Sequence, residues 1–308
     1  MRISYKERKT NFLTPSGLRC LAKLPTVNIS AGCAHRCAYC YTKGYSVYPG
    51  DDVIELYEDM AVRIADEISR KRNKPKSVYF CPSCDPFQPV EQIQQTSFEV
   101  MKTLLEKGIG VQFVTKGRIA DQTLRLFEQN RLLVCGQIGI TTIDDNLRQI
   151  LGPGTASVKE KLLQMERLVK AGVKISVRCD PFIHGFMDSQ KQLEGLFSAV
   201  AKTGCKEAAA SYLFLRSAII KSLKQDITNT SILDKIMAPY RHGPSLPVGM
   251  KSSKGIMLPI EIRKAGFDRI KSCAEKFGIS IHICGCKNSD LTTETCYITR
   301  EMSGNNLF

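Results

Sequence analysis

Short apolar runs alternate with longer amphipathic segments along most of this chain. Runs of strand length and composition occupy 26–30, 77–81, 110–115, 132–141, 173–178, 207–214 and 279–283. Most are continuous rather than alternating, the pattern of strands covered on both faces. Between them the period changes to that of a helix. Asp52 and Glu55 stand at capping-box spacing after Asp51, and Ile54, Tyr57, Ala61, Ile64 and Ile68 follow as an apolar stripe. Further helices are expected over 90–106 and 119–129. Another begins at a second capping box, Ser157 with Glu160, and buries Val158, Leu162, Met165 and Val169. A helix over 189–202 comes next, and two more precede the last strand. Residues 152–154, Gly-Pro-Gly, form a turn, and 240–247 is the most loop-like internal stretch. No internal repeat or linker interrupts the series.

Six or more strand–helix alternations argue for an α/β fold with a parallel sheet. The expected architecture is a partial (βα)6 TIM-like barrel over residues 24–283. Residues 1–23 are expected as an irregular basic extension, and residues 284–308 as a cysteine-containing tail packed at the barrel mouth. Sites in such folds gather where the strands end.

Composition narrows the class. The chain has 308 residues, 43% of them hydrophobic, enough for one large domain. No apolar run approaches the ~18 residues of a membrane span, and the first ten residues lack the apolar core of a signal peptide. Thirteen irregularly spaced cysteines suit a reducing cytoplasm and metal ligation rather than a disulfide framework. The formal net charge of +14 favours a polyanion, nucleic acid above all. Two segments concentrate it: Arg2, Lys6, Arg8, Lys9, Arg19 and Lys23 near the start, and Arg70, Lys71, Arg72, Lys74 and Lys76 later.

The chemistry lies first in Cys33, Cys37 and Cys40, spaced C-x3-C-x2-C after the first barrel strand. A cubane of four irons normally takes a thiolate on each iron, so three thiolates leave one iron open for another ligand. Zinc usually takes four ligands from paired C-x2-C units, and no such pair lies at the usual distance downstream. At the other strand ends stand Cys81, Cys84 and Asp85, then Lys116, then Thr141, then Arg178. Cys284, Cys286 and Cys296 form a second cysteine group after the last strand, able to bind a second iron–sulfur cluster or a zinc. Cys20, Cys135, Cys179 and Cys205 read as structural.

The cysteine motif, with Tyr39 before its third cysteine, resembles that of the radical S-adenosylmethionine (SAM) superfamily. Gly32 to Tyr41, 113–116 with its Lys116, 153–155, the Ala171-Gly172 helix end and, more loosely, 181–184 together resemble the spore photoproduct lyase-like branch, described as DNA-repair-photolyase-like. The resemblance implies the same partial barrel, a 4Fe–4S cluster on Cys33, Cys37 and Cys40, and SAM on its open iron. It implies reductive cleavage of SAM to a 5′-deoxyadenosyl radical, with electrons from a reductant such as flavodoxin or ferredoxin. Tyr39 and Lys116 would contact SAM, with Asp85, Thr141 and Arg178 on the cofactor side as well, and Tyr41 could relay a radical. The family's hydrogen-donor cysteine lies three residues before an aspartate. Here Cys81 and Cys84 lie four and one before Asp85, so either is the candidate donor.

Three functions are open from the sequence. The first is a radical SAM lyase or oxidoreductase acting on nucleic acid. The second is a radical SAM enzyme with an auxiliary cluster that modifies a peptide or small molecule. The third is a non-catalytic metal-binding protein that binds nucleic acid.

Overall fold

In the computed structural model, which describes residues 1–16, 19–21, 24–248 and 254–294, the apolar runs assemble into an open, mostly parallel sheet. In chain order the elements are β1 (Arg2–Lys6), β2 (Thr14–Pro15), β3 (Pro25–Val27), β4 (Ser30–Ala31), β5 (Val53–Tyr57), α1 (Met60–Arg70), β6 (Ser77–Phe80) and α2 (Glu91–Glu106). Then come β7 (Gly110–Thr115), α3 (Asp121–Gln129), β8 (Val134–Gly139), α4 (Asp145–Leu151), α5 (Val158–Lys170), β9 (Lys174–Phe182) and α6 (Gln190–Lys202). The chain continues through β10 (Glu207–Tyr212), α7 (Ser217–Asp226), α8 (Thr230–Met237), β11 (Ser245–Pro247), β12 (Lys254–Ile256), α9 (Ile260–Glu275) and β13 (Ser280–Ile283).

The main sheet runs β2-β3-β6-β7-β8-β9-β10-β13, and every pairing from β3 to β13 is parallel. The edges β2 and β13 do not meet, so the barrel is open, as expected for a partial barrel. Successive strands are joined by helices that cover one face, and residues such as Val78, Val111, Val134 and Val177 are fully buried. Phe113 and Phe127 stack at 5.1 Å, and Phe87 meets both edge-on, fastening α3 and the loop after β6 to the sheet.

Differences from the sequence pattern cluster at the N-terminal side. Residues 53–57 are a strand, not the first turn of a capped helix. Their burial alternates along Val53–Tyr57 with Ile54 and Leu56 inward, a period of two. β5 is paired on both sides, parallel to β1 and antiparallel to β4. The helix begins only at Met60, after Asp59 in the left-handed region at φ 52°. The basic N-terminus is therefore no irregular extension, since Arg2–Lys6 forms β1. This small sheet sits directly before the cysteine motif. Further on, α4 occupies a stretch read as connection, and three α-helices rather than two separate β10 from β13. The Ser157–Glu160 capping box is present with both reciprocal bonds. On α5, however, Lys161, Gln164 and Leu168 are buried beside Val158 and Met165, while Leu162 and Val169 are half-buried.

Candidate functional site at the mouth of the sheet

The cysteine loop is held in place by its neighbours on three sides. Gly32 enters it at φ 85°, where a side chain would meet the Val53 carbonyl at 2.4 Å, so β5 lies against the loop. The turn after α4 closes the second side. The Gly154 N–H donates to the His35 carbonyl at 3.1 Å, and the Ala38 N–H donates to the Leu151 carbonyl at 2.9 Å. A Cβ on Gly154 would lie 2.1 Å from the Ala34 carbonyl, so only glycine fits there. The third side is the loop after β6. Gln88, fully buried, accepts from the Ala34 N–H at 2.7 Å and donates to the Asp85 carbonyl at 2.9 Å.

Asp85 is the centre of this arrangement. One carboxylate oxygen accepts from the Phe87 N–H at 2.9 Å and the Thr115 hydroxyl at 2.7 Å. The other accepts from the Lys116 N–H at 2.7 Å and lies 3.0 Å from His35 Nε2. His35 Nδ1 in turn lies 2.8 Å from the Gly154 carbonyl. Burial alone would raise the Asp85 carboxyl, but His35 and the backbone donors hold it below its ordinary value. With its oxygens spent on protein donors, Asp85 is not placed as a cofactor contact. It fixes the cysteine loop to the end of β7, where Lys116 begins.

Lys116 projects over Tyr39, its ammonium 5.5 Å from the ring centroid. Tyr39 hydrogen-bonds the Cys37 sulfur. Burial pushes the Cys37 thiol up to about 11, while Lys116, Lys161 and Tyr39 favour its thiolate. Cys33 is half-buried at the start of the loop, and burial first, then Asp85, raises its thiol well above the ordinary value. The Cys40 sulfur lies 3.0 Å from the Thr42 hydroxyl. Lys161, 4% exposed on α5, is lowered to about 8 by burial and by Lys116. Two ammonium groups beside a half-buried thiol are costly unless that region carries negative charge. The donor set of three thiols with neighbouring cations therefore fits a thiolate-bound iron–sulfur cluster. Among the described residues, no three Cys, His, Asp or Glu side chains already converge on one metal-sized point, Cys33, Cys37 and Cys40 included.

Above the strand ends lies a cavity of about 600 Å3, within the usual range for ligand sites. Cys37, Cys40, Tyr39, Tyr41, Lys116 and Arg178 line it, together with Cys284 and Cys286. Arg178 donates to Gln137 at 2.9 Å and to Asp180 at 2.6 Å, and Lys287 donates to Asp180 from the other side at 2.6 Å. Burial raises the Asp180 carboxyl, and Lys287 and Arg178 outweigh that and hold it low. Lys116, Arg178, Arg216 and Lys287 stand against Asp180 among the described lining residues. Tyr45 and Tyr79 add aromatic surface, and Tyr41 packs edge-on against Tyr45 at 5.8 Å. The Tyr41 hydroxyl donates to the Pro82 carbonyl.

Several sequence-derived candidates are placed elsewhere. Pro82 and Ser83 face the cavity, but Cys81 and Cys84 do not line it. Cys81 is fully buried in the left-handed region at φ 53°, and its thiol donates to the Cys84 sulfur, which also meets Ser30. Cys84 is half-buried, and its sulfur lies 3.9 Å from Oδ1 of Asn28, which lines the cavity. Thr141 also lies outside the lining; the adjoining Thr142 hydroxyl accepts the Asp144 N–H at 3.0 Å. Cys20 departs the other way, toward the mouth beside Cys284 and Cys286. Cys135, Cys179 and Cys205 are buried, and Cys296 lies outside the described residues. His35, Gln88, Lys161 and Lys287 escaped the sequence reading, and Asp180 stood in it only as a polar neighbour of Arg178. Asp180 had a signal, because it follows Arg178 at a strand end, but Lys161 sits inside an ordinary helical pattern.

Comparisons with known proteins bear on the family and on the fold. The family model of the radical SAM superfamily matches residues 27–192. The radical SAM Nalpha-GlyT isomerase of Pseudomonas phage M6 is 22% identical over 173 residues, 56% of this chain, but the match covers only 35% of that relative's length. An uncharacterised protein of Mycobacterium tuberculosis is 23% identical over 233 residues, covering 72% of this chain and 68% of that one. Spore photoproduct lyase, in a variant solved with bound AdoMet and dinucleoside spore photoproduct, superimposes with a TM-score of 0.70 at 16% identity. The match covers 91% of this chain and 81% of the lyase. That likeness is one of fold.

Proposed function

The chain belongs to the radical SAM superfamily and is an enzyme of that type, and from that premise we propose that it acts on a nucleotide unit of a nucleic acid, as a lyase or oxidoreductase. Membership implies a 4Fe–4S cluster and SAM. Cys33, Cys37 and Cys40 would hold the cluster, which when bound to SAM supplies hydrogen-atom abstraction. Lys116, beside Tyr39 and fixed through Asp85, would take the SAM carboxylate as a compact cation. Arg178 and Lys287, both tied to Asp180, would orient the polar part of the substrate, and Tyr41, in the cavity lining, would relay a radical. The observation that carries the reading is the cavity lining, in which the described residues set four cations against one carboxylate and add several tyrosine rings. Cations for phosphate and flat rings for bases are the usual elements of single-nucleotide recognition.

The test is anaerobic turnover with SAM and a chemical reductant or flavodoxin, on ultraviolet-irradiated and undamaged oligonucleotides. Nucleic-acid-dependent formation of 5′-deoxyadenosine, with binding that weakens as salt rises, is expected. SAM cleavage with no salt-sensitive nucleic-acid binding would sink the substrate assignment. A second reading, a peptide or small-molecule substrate with an auxiliary metal centre, draws support from Cys284 and Cys286 in the lining of the same cavity.

A further inference from the structure

We infer that Cys20, Cys284 and Cys286 form a second metal site at the rim of the cavity, binding a thiophilic metal, either zinc or the iron of a second cluster. The inference deepens the second reading above and rests on it for the metal's role, while the site itself is read from the thiols.

Cys20 and Cys286 are 266 residues apart, yet the Cys20 N–H donates to the Cys286 sulfur at 3.1 Å. Cys284 packs on Ala209 of β10, and Cys20 and Cys286 pack against that pair. All three line the cavity that also holds Cys37 and Cys40. A neutral thiol gains little from a backbone N–H aimed at its sulfur. A metal-bound thiolate gains much, since such bonds spread its charge and tune the centre.

The Cys-Gly-Cys turn is braced by hydrogen bonds, although the Cys20, Cys284 and Cys286 sulfurs do not themselves converge on one metal-sized point and must close by a small movement when metal binds. The Cys284 N–H donates to the Ala210 carbonyl at 3.2 Å, continuing the β10–β13 ladder. Buried Asn288 donates from its side chain to the Cys284 carbonyl at 3.0 Å. Arg263, 1% exposed, grips Asn288 at 3.2 Å and Asp290 at 2.8 and 2.6 Å. Lys287 ties the far side of the turn to Asp180. So much buried polar structure spent on a short tail segment is explained if the turn must present two sulfurs at a fixed spacing. Soft thiolate donors select zinc or iron–sulfur centres over hard cations. Three of them leave a zinc, or one iron of a cluster, with a free position.

The experiment is metal and labile-sulfide analysis, so it does not depend on turnover. In Cys33→Ala/Cys37→Ala/Cys40→Ala, prepared anaerobically and shown folded by circular dichroism, ~1 zinc or ~4 irons per chain should remain. Zinc without sulfide marks a zinc site, and iron with equimolar sulfide marks a cluster. Adding Cys20→Ser should remove that metal. If the triple variant does not fold, Cys20→Ser in the otherwise native chain should lose the same amount. The change that SAM induces in the first cluster's paramagnetic resonance spectrum should then persist. No metal beyond the first motif, or metal retained after Cys20→Ser, overturns the inference. So does a Cys20–Cys286 disulfide in the anaerobic protein. Loss of SAM response with the second metal intact would instead count against the radical SAM reading of the first motif.

Discussion

At the scale of single residues, Asp85 and Lys116 separate positioning from binding. Lys116→Met should leave iron content unchanged and weaken SAM binding roughly 10- to 100-fold, the usual worth of ~1.5–3 kcal/mol for a hydrogen bond to a charged group. Titration calorimetry on the reconstituted protein reads it. Asp85→Asn should act earlier. Asparagine keeps one acceptor oxygen and turns an NH2 toward the donors of the other, either the Phe87 N–H and Thr115 hydroxyl or the Lys116 N–H and His35. Each buried donor left unmet costs ~1–3 kcal/mol, so melting temperature and iron retention should fall together. A second carboxylate gives a pH signature. Burial raises Asp188, but His184, Tyr212 and Gly185 donate to it and bring it down to about 2 from an ordinary 3.8. Its folded value is depressed, so its contribution is complete above pH ~4 and is lost as pH falls toward ~2. Asp188→Asn should therefore melt lower than wild type near neutrality, and the gap should close across that window in thermal melts.

At the scale of elements, the surprise is the strand pair β1 and β5. The segment 53–57 carries apolar residues that also satisfy a helical stripe, and its Glu55 stands at capping-box spacing from Asp52 just before it. Pairing on two edges decided for strand, because β5 gains a backbone ladder with both β1 and β4 while still burying Ile54 and Leu56. The consequence reaches the site, since β4 runs straight into the cysteine loop. Removing residues 1–6 should expose the edge of β5 and loosen that loop. Reconstituted iron should be lost faster to a chelator, with the far strands β7 to β10 keeping their slow amide exchange. Equal iron retention with and without β1 would mean the small sheet is only a scaffold edge.

At the scale of the whole molecule, the charge of +14 is not where the linear sequence suggested. The block from Arg70 to Lys76 joins the end of α1 to the start of β6, and the Lys76 carbonyl accepts the Gly110 N–H at the start of β7. In a parallel sheet that is the end opposite the site. Near the N-terminus, Lys6 pairs with Glu55, and Arg8 lies over the rings of Phe12 and Tyr57. Among the described residues, the cations facing the cavity come singly, from four different segments: Lys116, Arg178, Arg216 and Lys287. Replacing Lys71, Arg72 and Lys74 with glutamine should hardly alter the salt dependence of nucleic-acid binding. Arg216→Ala with Lys287→Ala should lower the slope of log K against log salt by up to ~2. Among the described residues, no helix is long and apolar enough to cross a membrane.

The sequence by itself determined the parallel alternation, the place of the cysteine motif after the first barrel strand, and Lys116 at the end of β7. Those signals are local: continuous apolar runs, fixed spacings, and turns whose chemistry needs glycine. Only the tertiary structure decided which polar residues share a space. Asp85 and Cys84 are neighbours in sequence, yet one knits the loops together and the other meets the Cys81 thiol, Ser30 and Asn28, in a loop whose backbone turns at Cys81 in the left-handed region. Cys20 looked like an isolated thiol until the tail carried Cys286 to it across nearly the whole chain. Buried charges such as Lys161 and Asp180 follow the same rule. Their burial is set by elements distant in sequence, and no pattern along the chain encodes that distance.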